Sequence, residues 1–156
     1  AELWNHAVFR LRQDNNEDIW MSYTFGPSGF SRYLQSGTFE NYDSVGSYPF
    51  SPYFAIDKYG NKWFIYGSNL IKWDDSVSYF SKPNPSSFPR DITCDSIGTI
   101  WLAGEPSYSF DGVYWNAYRP SLSGFNFVWN IYIDNEQNKW FLCSNEGEYK
   151  LSTADL

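Results

Sequence analysis

Apolar positions in this chain come in short runs, each soon broken by Asp, Asn, Gly, Ser or Pro. No stretch sustains apolar residues at i, i+3, i+4 and i+7 over three turns, so helices are not expected. The runs are rich in Tyr, Phe, Trp and Ile, the residue types of half-buried strands. Four runs precede an aspartate: FRLRQ from Phe9, YFAI from Tyr53, DITC from Asp91 and NIYI from Asn130. In each, an apolar residue (Leu11, Phe54, Ile92 or Ile131) stands three places before that aspartate. A second set carries a tryptophan: IWMSY, KWFIYG, IWLAG and KWFLC. A third set reads FSRYL, LIKWD, SYSFD and EYKLS, and a fourth TFENY, VSYFS and YWNAY. The segments DSVGSYPFSP, KPNPSSFP and RPSLSGFNF then lead from a fourth strand to the next first strand, as crossovers between sheets.

The aspartate and the tryptophan form one repeated heptad: DNNEDIW, DKYGNKW, DSIGTIW and DNEQNKW. Trp20, Trp63, Trp101 and Trp140 are spaced by 43, 38 and 39 residues. A period near 40 made of strands predicts propeller blades. Asp14, Asp57, Asp95 and Asp134 are expected to accept backbone N–H groups within a tight turn. Gly60, Asn61, Gly98 and Asn138 are expected to supply its left-handed residue. Each tryptophan offers a large apolar face for packing one blade on the next. The repeated residues therefore read as scaffold, leaving function to what is not repeated. The prediction is an all-β protein, a β-propeller of about four blades over residues 8–47, 48–88, 89–127 and 128–156. ELWNHA resembles VYWNAY, with Trp4 matching Trp115, so residues 1–7 are a candidate fourth strand for the last blade. Against this, Trp4 to Asp14 spans ten residues where Trp115 to Asp134 spans nineteen. Three arrangements stay open: a small closed ring, half of a larger ring completed by a second chain, and a fragment of a longer propeller.

IDKYGNKWFIYGSNLIKWDD resembles the two-component-regulator propeller repeat, whose pattern is an apolar strand, D-x-x-G-N-x-W, a short strand, then G-L and a strand ending in D. IYIDNEQNKWFLCSNEGEYKLS and ITCDSIGTIWLAGEPSYSFDG resemble further copies. LRQDNNEDIWMSYTFGPSGFSRYL resembles a degenerate one, with Glu17 and Asp18 where Gly and Asn are expected. The resemblance implies a propeller module outside the cytoplasm, periplasmic or at the bacterial cell surface. It also implies kinship with the sensors of hybrid two-component systems, which often sense glycans. Rings in that family are larger than four blades.

At 156 residues the chain is long enough to bury a core, and 22% aromatic content is too high for disorder. A net charge of −7 argues against nucleic acid and anionic membrane partners. No apolar run is long enough to span a bilayer, and no signal-peptide pattern is seen. A start at Ala1 without Met points to a mature, processed or trimmed chain. Cys94 and Cys143 form no metal-type pair and are expected to be free, buried thiols.

Candidate chemistry is sparse. Asp14-Asn15-Asn16-Glu17-Asp18 has the opening of a calcium loop, but Ile19 and Phe25 stand where that loop needs Gly and Glu. The single histidine, His6, gives neither a zinc set nor a nucleophile's base. No metal or cofactor is expected. TCDSIGTIW resembles the Asp-box of sialidases with one extra residue between Asp95 and Gly98, so a glycoside hydrolase is an alternative. Its candidate groups are Arg10, Arg12 and Arg90 on or before first strands, and the carboxylates of Glu105 and Asp111, although Asp111-Gly112 also reads as a hairpin turn. The favoured expectation is a non-catalytic module that binds a glycan or a protein. Its ligand residues are the non-repeated Tyr53, Arg90, Asp91, Arg119, Phe125, Phe127, Trp129 and Tyr132, whose rings can stack on a sugar and whose charges can bond its hydroxyls. A structural segment that self-associates to complete a ring is a further alternative.

Overall fold

Among the described residues of the computed structural model, every regular element is a β-strand. Those residues are 7–23, 29–42, 44–45, 48–49, 52–67, 69–74, 76–84, 88–119, 127–144 and 147–151. The chain divides into two compact units, Ala1–Phe80 and Ser81–Leu156.

The first unit holds two four-stranded antiparallel sheets. One runs β1 (Val8–Gln13), β2 (Ile19–Tyr23), β3 (Phe30–Tyr33), β4 (Phe39–Tyr42). A small hairpin, β5 (Ser44–Val45) with β6 (Tyr48–Pro49), follows. The second sheet runs β7 (Phe54–Ile56), β8 (Lys62–Tyr66), β9 (Asn69–Trp73), β10 (Val77–Ser81). The second unit holds β11 (Asp91–Cys94), β12 (Ile100–Ala103), β13 (Ser107–Phe110) and β14 (Trp115–Tyr118), then β15 (Val128–Ile133), β16 (Lys139–Cys143) and β17 (Gly147–Leu151). Within each sheet the strands pair in sequence order. The register places Leu11 opposite Met21, Phe54 opposite Phe64, Ile92 opposite Leu102 and Ile131 opposite Phe141. The β5–β6 hairpin lies inside a segment read from sequence as a plain crossover; the Gly-Ser between its strands is a hairpin signal there.

The turn joining the first and second strands is the same in all four sheets. The aspartate N–H donates to the carbonyl four residues on, and the N–H three residues on donates back to the aspartate carbonyl. The residue at that third place takes positive φ: Glu17 at 65°, Gly60 at 84°, Gly98 at 101° and Gln137 at 66°. Asn61 and Asn138, expected to be left-handed, are not. They stand one place later, at the start of the returning strand, and their side-chain amides donate to the carboxylates of Asp57 and Asp134 instead.

The core lies between sheets. In the first unit Trp20 and Phe30 pack with Phe54, Phe64 and Ile71 of the next sheet. In the second, Trp101 and Ala103 pack with Val128, Ile131, Phe141 and Cys143. Phe30 meets Phe54 and Phe64 edge-on, with centroids 4.6 and 5.2 Å apart. The lysine before the next tryptophan caps each contact: Lys62 lies 4.3 Å over the Trp20 ring and Lys139 5.1 Å over Trp101. Cys94, expected to be buried, is half-buried and Cys143 is buried, and both are thiols outside any disulfide.

Candidate functional site

The four repeated carboxylates have their oxygens committed inside the turn. One oxygen accepts backbone N–H groups two and four residues on, as Asp57 does from Tyr59 and Asn61. Asp95 adds a third, from Gly98. The other oxygen accepts the indole N–H of the motif tryptophan, at 2.7 Å for Asp14–Trp20, 2.9 Å for Asp57–Trp63, 3.0 Å for Asp95–Trp101 and 2.8 Å for Asp134–Trp140. The Trp140 indole and the Asn138 amide hold the Asp134 carboxyl down at about 2. At Asp14 burial works the other way, yet the Trp20 indole and the N–H groups of Asn16 and Asp18 outweigh it and lower its pKa. Asp18 is taken by Arg32, whose Nε and Nη2 donate to it at 3.0 and 2.6 Å, and by the Gln35 N–H. The loop that opens like a calcium site thus spends both outer carboxylates on protein donors. Among the described residues no group of three or more His, Cys, Asp or Glu could hold a metal ion.

Non-repeated residues gather where the first strands begin. In the second unit the Arg90 guanidinium lies 5.9 Å from the Phe127 ring centre and 5.8 Å from that of Trp129, and the two rings are 5.0 Å apart. Trp129 is 51% exposed. A β-irregularity between Val128 and Asn130 breaks the alternation of β15, so Trp129 and Asn130 both stay exposed between the buried Val128 and Ile131. The Arg90 N–H donates to the Ala103 carbonyl, which fixes the base of the cluster. The first unit repeats this chemistry. Arg10 lies 5.7 Å from the Tyr53 ring centre, and Phe9 meets Tyr53 edge-on at 5.1 Å. Cations over aromatic faces with an exposed ring beside them can stack on an apolar ligand face and donate to its rim.

The other candidates are placed differently. Asp91 is 2% exposed, and its carboxylate accepts from its neighbour's N–H, from the Asn130 amide and from the Ile131 N–H. It therefore ties β11 to β15. Arg119 is largely exposed and pairs with Glu105 at 3.8 Å. Asp111 accepts from the N–H groups of Val113 and Tyr114 in the β13–β14 turn, beside Gly112 at φ 103°. Tyr132 is exposed on another face, beside Trp140 and Leu142. Phe125, like Trp4 and His6, lies outside the described residues.

A cleft of about 460 Å³ in the first unit was not anticipated. Trp20, Tyr42 and Trp73 wall it, with rings 5.1 to 6.0 Å apart, and Tyr59, Arg32 and Lys62 edge it. Arg32 is committed to Asp18 and Glu40, and the aromatic walls pack on one another, so this cleft is built chiefly from the joint between two sheets. The lysine preceding a tryptophan in both GNKW and QNKW was its legible signal. Phe9 carried none, since apolar first-strand residues are ordinarily read as core.

No family model and no curated protein matches the chain. Solved structures do. The chain is similar to virginiamycin B lyase from Staphylococcus aureus, at 16% identity and a TM-score of 0.74, over 99% of this chain and 55% of that one. It is similar to YCF48 bound to D1 peptide, at 14% identity and a TM-score of 0.77, over 95% and 51%. The fold is that of a β-propeller. The chain also resembles the extracellular domain of a hybrid two-component system protein from B. thetaiotaomicron, at 16% identity and a TM-score of 0.68, over 94% of this chain and 22% of that one. It spans about half the length of the lyase and YCF48 chains. At such identities the likeness speaks for fold alone, and the similar proteins include both an enzyme and binding domains.

Proposed function

We propose that this chain is a non-catalytic binding module that works outside the cytoplasm, at the cell surface or in the periplasm, and that its ligand is a carbohydrate. The observation that carries this reading is the Arg90–Phe127–Trp129 cluster, with a tryptophan face half open to solvent. A sugar ring presents an apolar C–H face to stack on an indole and hydroxyls around its edge to accept from a guanidinium. Arg10 with Phe9 and Tyr53 offers a second platform of the same chemistry. The likeness to extracellular domains of two-component proteins and the repeat pattern both agree with a sensor-type module. The blades of the sequence reading and its ligand residues other than Asp91 belong to this proposal. Asp91, buried and bonded, serves it by fixing the strand that carries Trp129.

The test is a glycan array followed by titration calorimetry on the best ligand. Trp129→Ala and Arg90→Ala should each weaken binding at least about tenfold with the far-UV spectrum unchanged. Binding that survives both substitutions at full strength removes the cluster from the account. An array without a ligand, together with measurable cleavage of a model glycoside, favours the hydrolase alternative.

A second reading, a peptide partner at the same cluster, is favoured by the likeness to a YCF48 structure that holds a peptide. A peptide array probed with the wild-type chain and the Trp129→Ala variant separates the two.

A further inference from the structure

Four of the five arginines bring their guanidinium to a protein oxygen. Arg32 forks onto Asp18, Arg119 pairs with Glu105, Arg10 donates to the Phe54 carbonyl and Arg12 to that of Leu11. Arg90 differs. Its side chain is exposed and lies against the Phe127 and Trp129 rings, and among the described residues it makes no hydrogen bond or ion pair. Ring faces attract the charge but are no match for an oxygen acceptor, so its five N–H donors are left to water or to a ligand.

The acids beside it in sequence are spent elsewhere. Asp91 accepts from the Ile92 N–H, the Asn130 amide and the Ile131 N–H, and Glu105 is paired with Arg119. The backbone under Arg90 is held in place. Pro89 before it is buried, with φ set by its ring, and the Arg90 N–H donates to the Ala103 carbonyl. Gly104 lies close against Pro89: an added Cβ would come 3.5 Å from the Pro89 Cα. A donor anchored at its backbone before the ligand arrives gives up less freedom on binding.

The geometry points to an acidic sugar as the ligand of this cluster, its carboxylate or sulfate taken by the Arg90 fork and its ring carried by the open half of Trp129. This rests on the carbohydrate reading above and narrows it. A hydroxyl makes a neutral hydrogen bond with each N–H, whereas a carboxylate takes two at once in charge-assisted bonds about twice as strong. The chain's net charge of −7 does not oppose this: exposed charges beyond about 8 Å are largely screened at physiological salt, so the local cation decides.

The test is a glycan array of matched pairs, followed by titration calorimetry on the pair bound best. Uronate oligosaccharides are set beside their carboxyl-reduced forms, and sulfated oligosaccharides beside their desulfated forms, which separates the two sources of the anion. The acidic member of at least one pair should bind at least about tenfold tighter than its neutral counterpart. Arg90→Gln, with an unchanged far-UV spectrum, should bring the two members level. Arg90→Lys, which keeps the charge without the fork, should restore only part of the difference. Trp129→Ala should weaken both members alike. Equal binding of acidic and neutral members by wild type overturns the inference and leaves the carbohydrate reading standing. An acidic preference that survives Arg90→Gln overturns it too, since the anion is then read elsewhere. If no sugar of either kind binds, or only an acidic peptide does, both readings fall.

Discussion

Lys139 is buried with its ammonium 5.1 Å from the centre of the Trp101 ring and 3.6 Å from an Asp95 oxygen. One side chain therefore joins the last sheet both to the indole and to the turn of the sheet before it. Removing it strands a buried carboxylate and opens a gap. Lys139→Ala is expected to cost about 3 kcal/mol. Lys139→Met, which keeps the packing, should cost clearly less. Urea unfolding curves decide, and equal losses would mean that charge rather than volume matters there.

Asp95 and Asp111 both close hairpin turns, but only Asp95 also takes a buried indole N–H. Asp95→Ala leaves the N–H groups of Ile97, Gly98 and Thr99 and the Trp101 indole without that acceptor. A loss of about 2–4 kcal/mol is expected. Asp111→Ala, on an exposed turn where water can replace the carboxylate, should cost clearly less than Asp95→Ala. The same denaturation experiment measures both.

Glu17 and Gln137 hold the left-handed place that glycine fills in Gly60 and Gly98. A side chain there costs about 1–2 kcal/mol of backbone strain, partly offset by its lower chain entropy when unfolded. Glu17→Gly and Gln137→Gly should therefore each stabilise by up to about 1 kcal/mol. Gly60→Ala should destabilise by a similar amount: nothing lies within 4 Å of an added Cβ, so backbone conformation alone sets the effect. A drop in melting temperature for both glycine variants would show that the original side chains contribute more than they strain.

These turns also show what the sequence made legible. The strands could be read because their apolar runs are short and their breakers regular, and the heptad located every turn. Which residue bends left-handed could not be read, since Asn61 and Gly60 are neighbours and both residue types tolerate positive φ. The indole–carboxylate bond was missed because six residues separate its partners, and only the register of the returning strand brings them together. Arg90, Phe127 and Trp129 were named in advance as separate candidates. Their joining depends on the irregularity in β15, which local sequence does not announce.

Acid should weaken the fold through the same carboxylates. Asp134 titrates at about 2 in the fold, held there by Trp140 and Asn138, and Asp74 is also lowered, by Lys72 and Ser76. Unfolded aspartates titrate near 3.8, so the unfolded chain binds more protons between about pH 4 and 2. Stability is then fully present above about pH 4 and is lost as pH falls toward 2. Asp134→Asn should flatten part of that decline, read from urea midpoints at several acid pH values.

Lys82 works at the other end of the scale. It is buried, and burial pulls its pKa from 10.5 down to about 8. Above pH 8 the folded chain releases this proton while the unfolded chain keeps it until about 10.5. The unfolded state then binds more protons, and stability should rise with pH across that window. Burial also raises the pKa of Tyr42 and of Tyr108. Those groups act oppositely, since unfolded tyrosines ionise first near pH 10. The clean interval therefore runs from about pH 8 to about 9.5. Lys82→Met carries no charge into the fold, so it should be more stable than wild type at neutral pH and lack the alkaline rise. Urea midpoints of the two proteins across that interval test this. Parallel curves would mean that Lys82 keeps its proton in the fold, and that burial does not govern its charge.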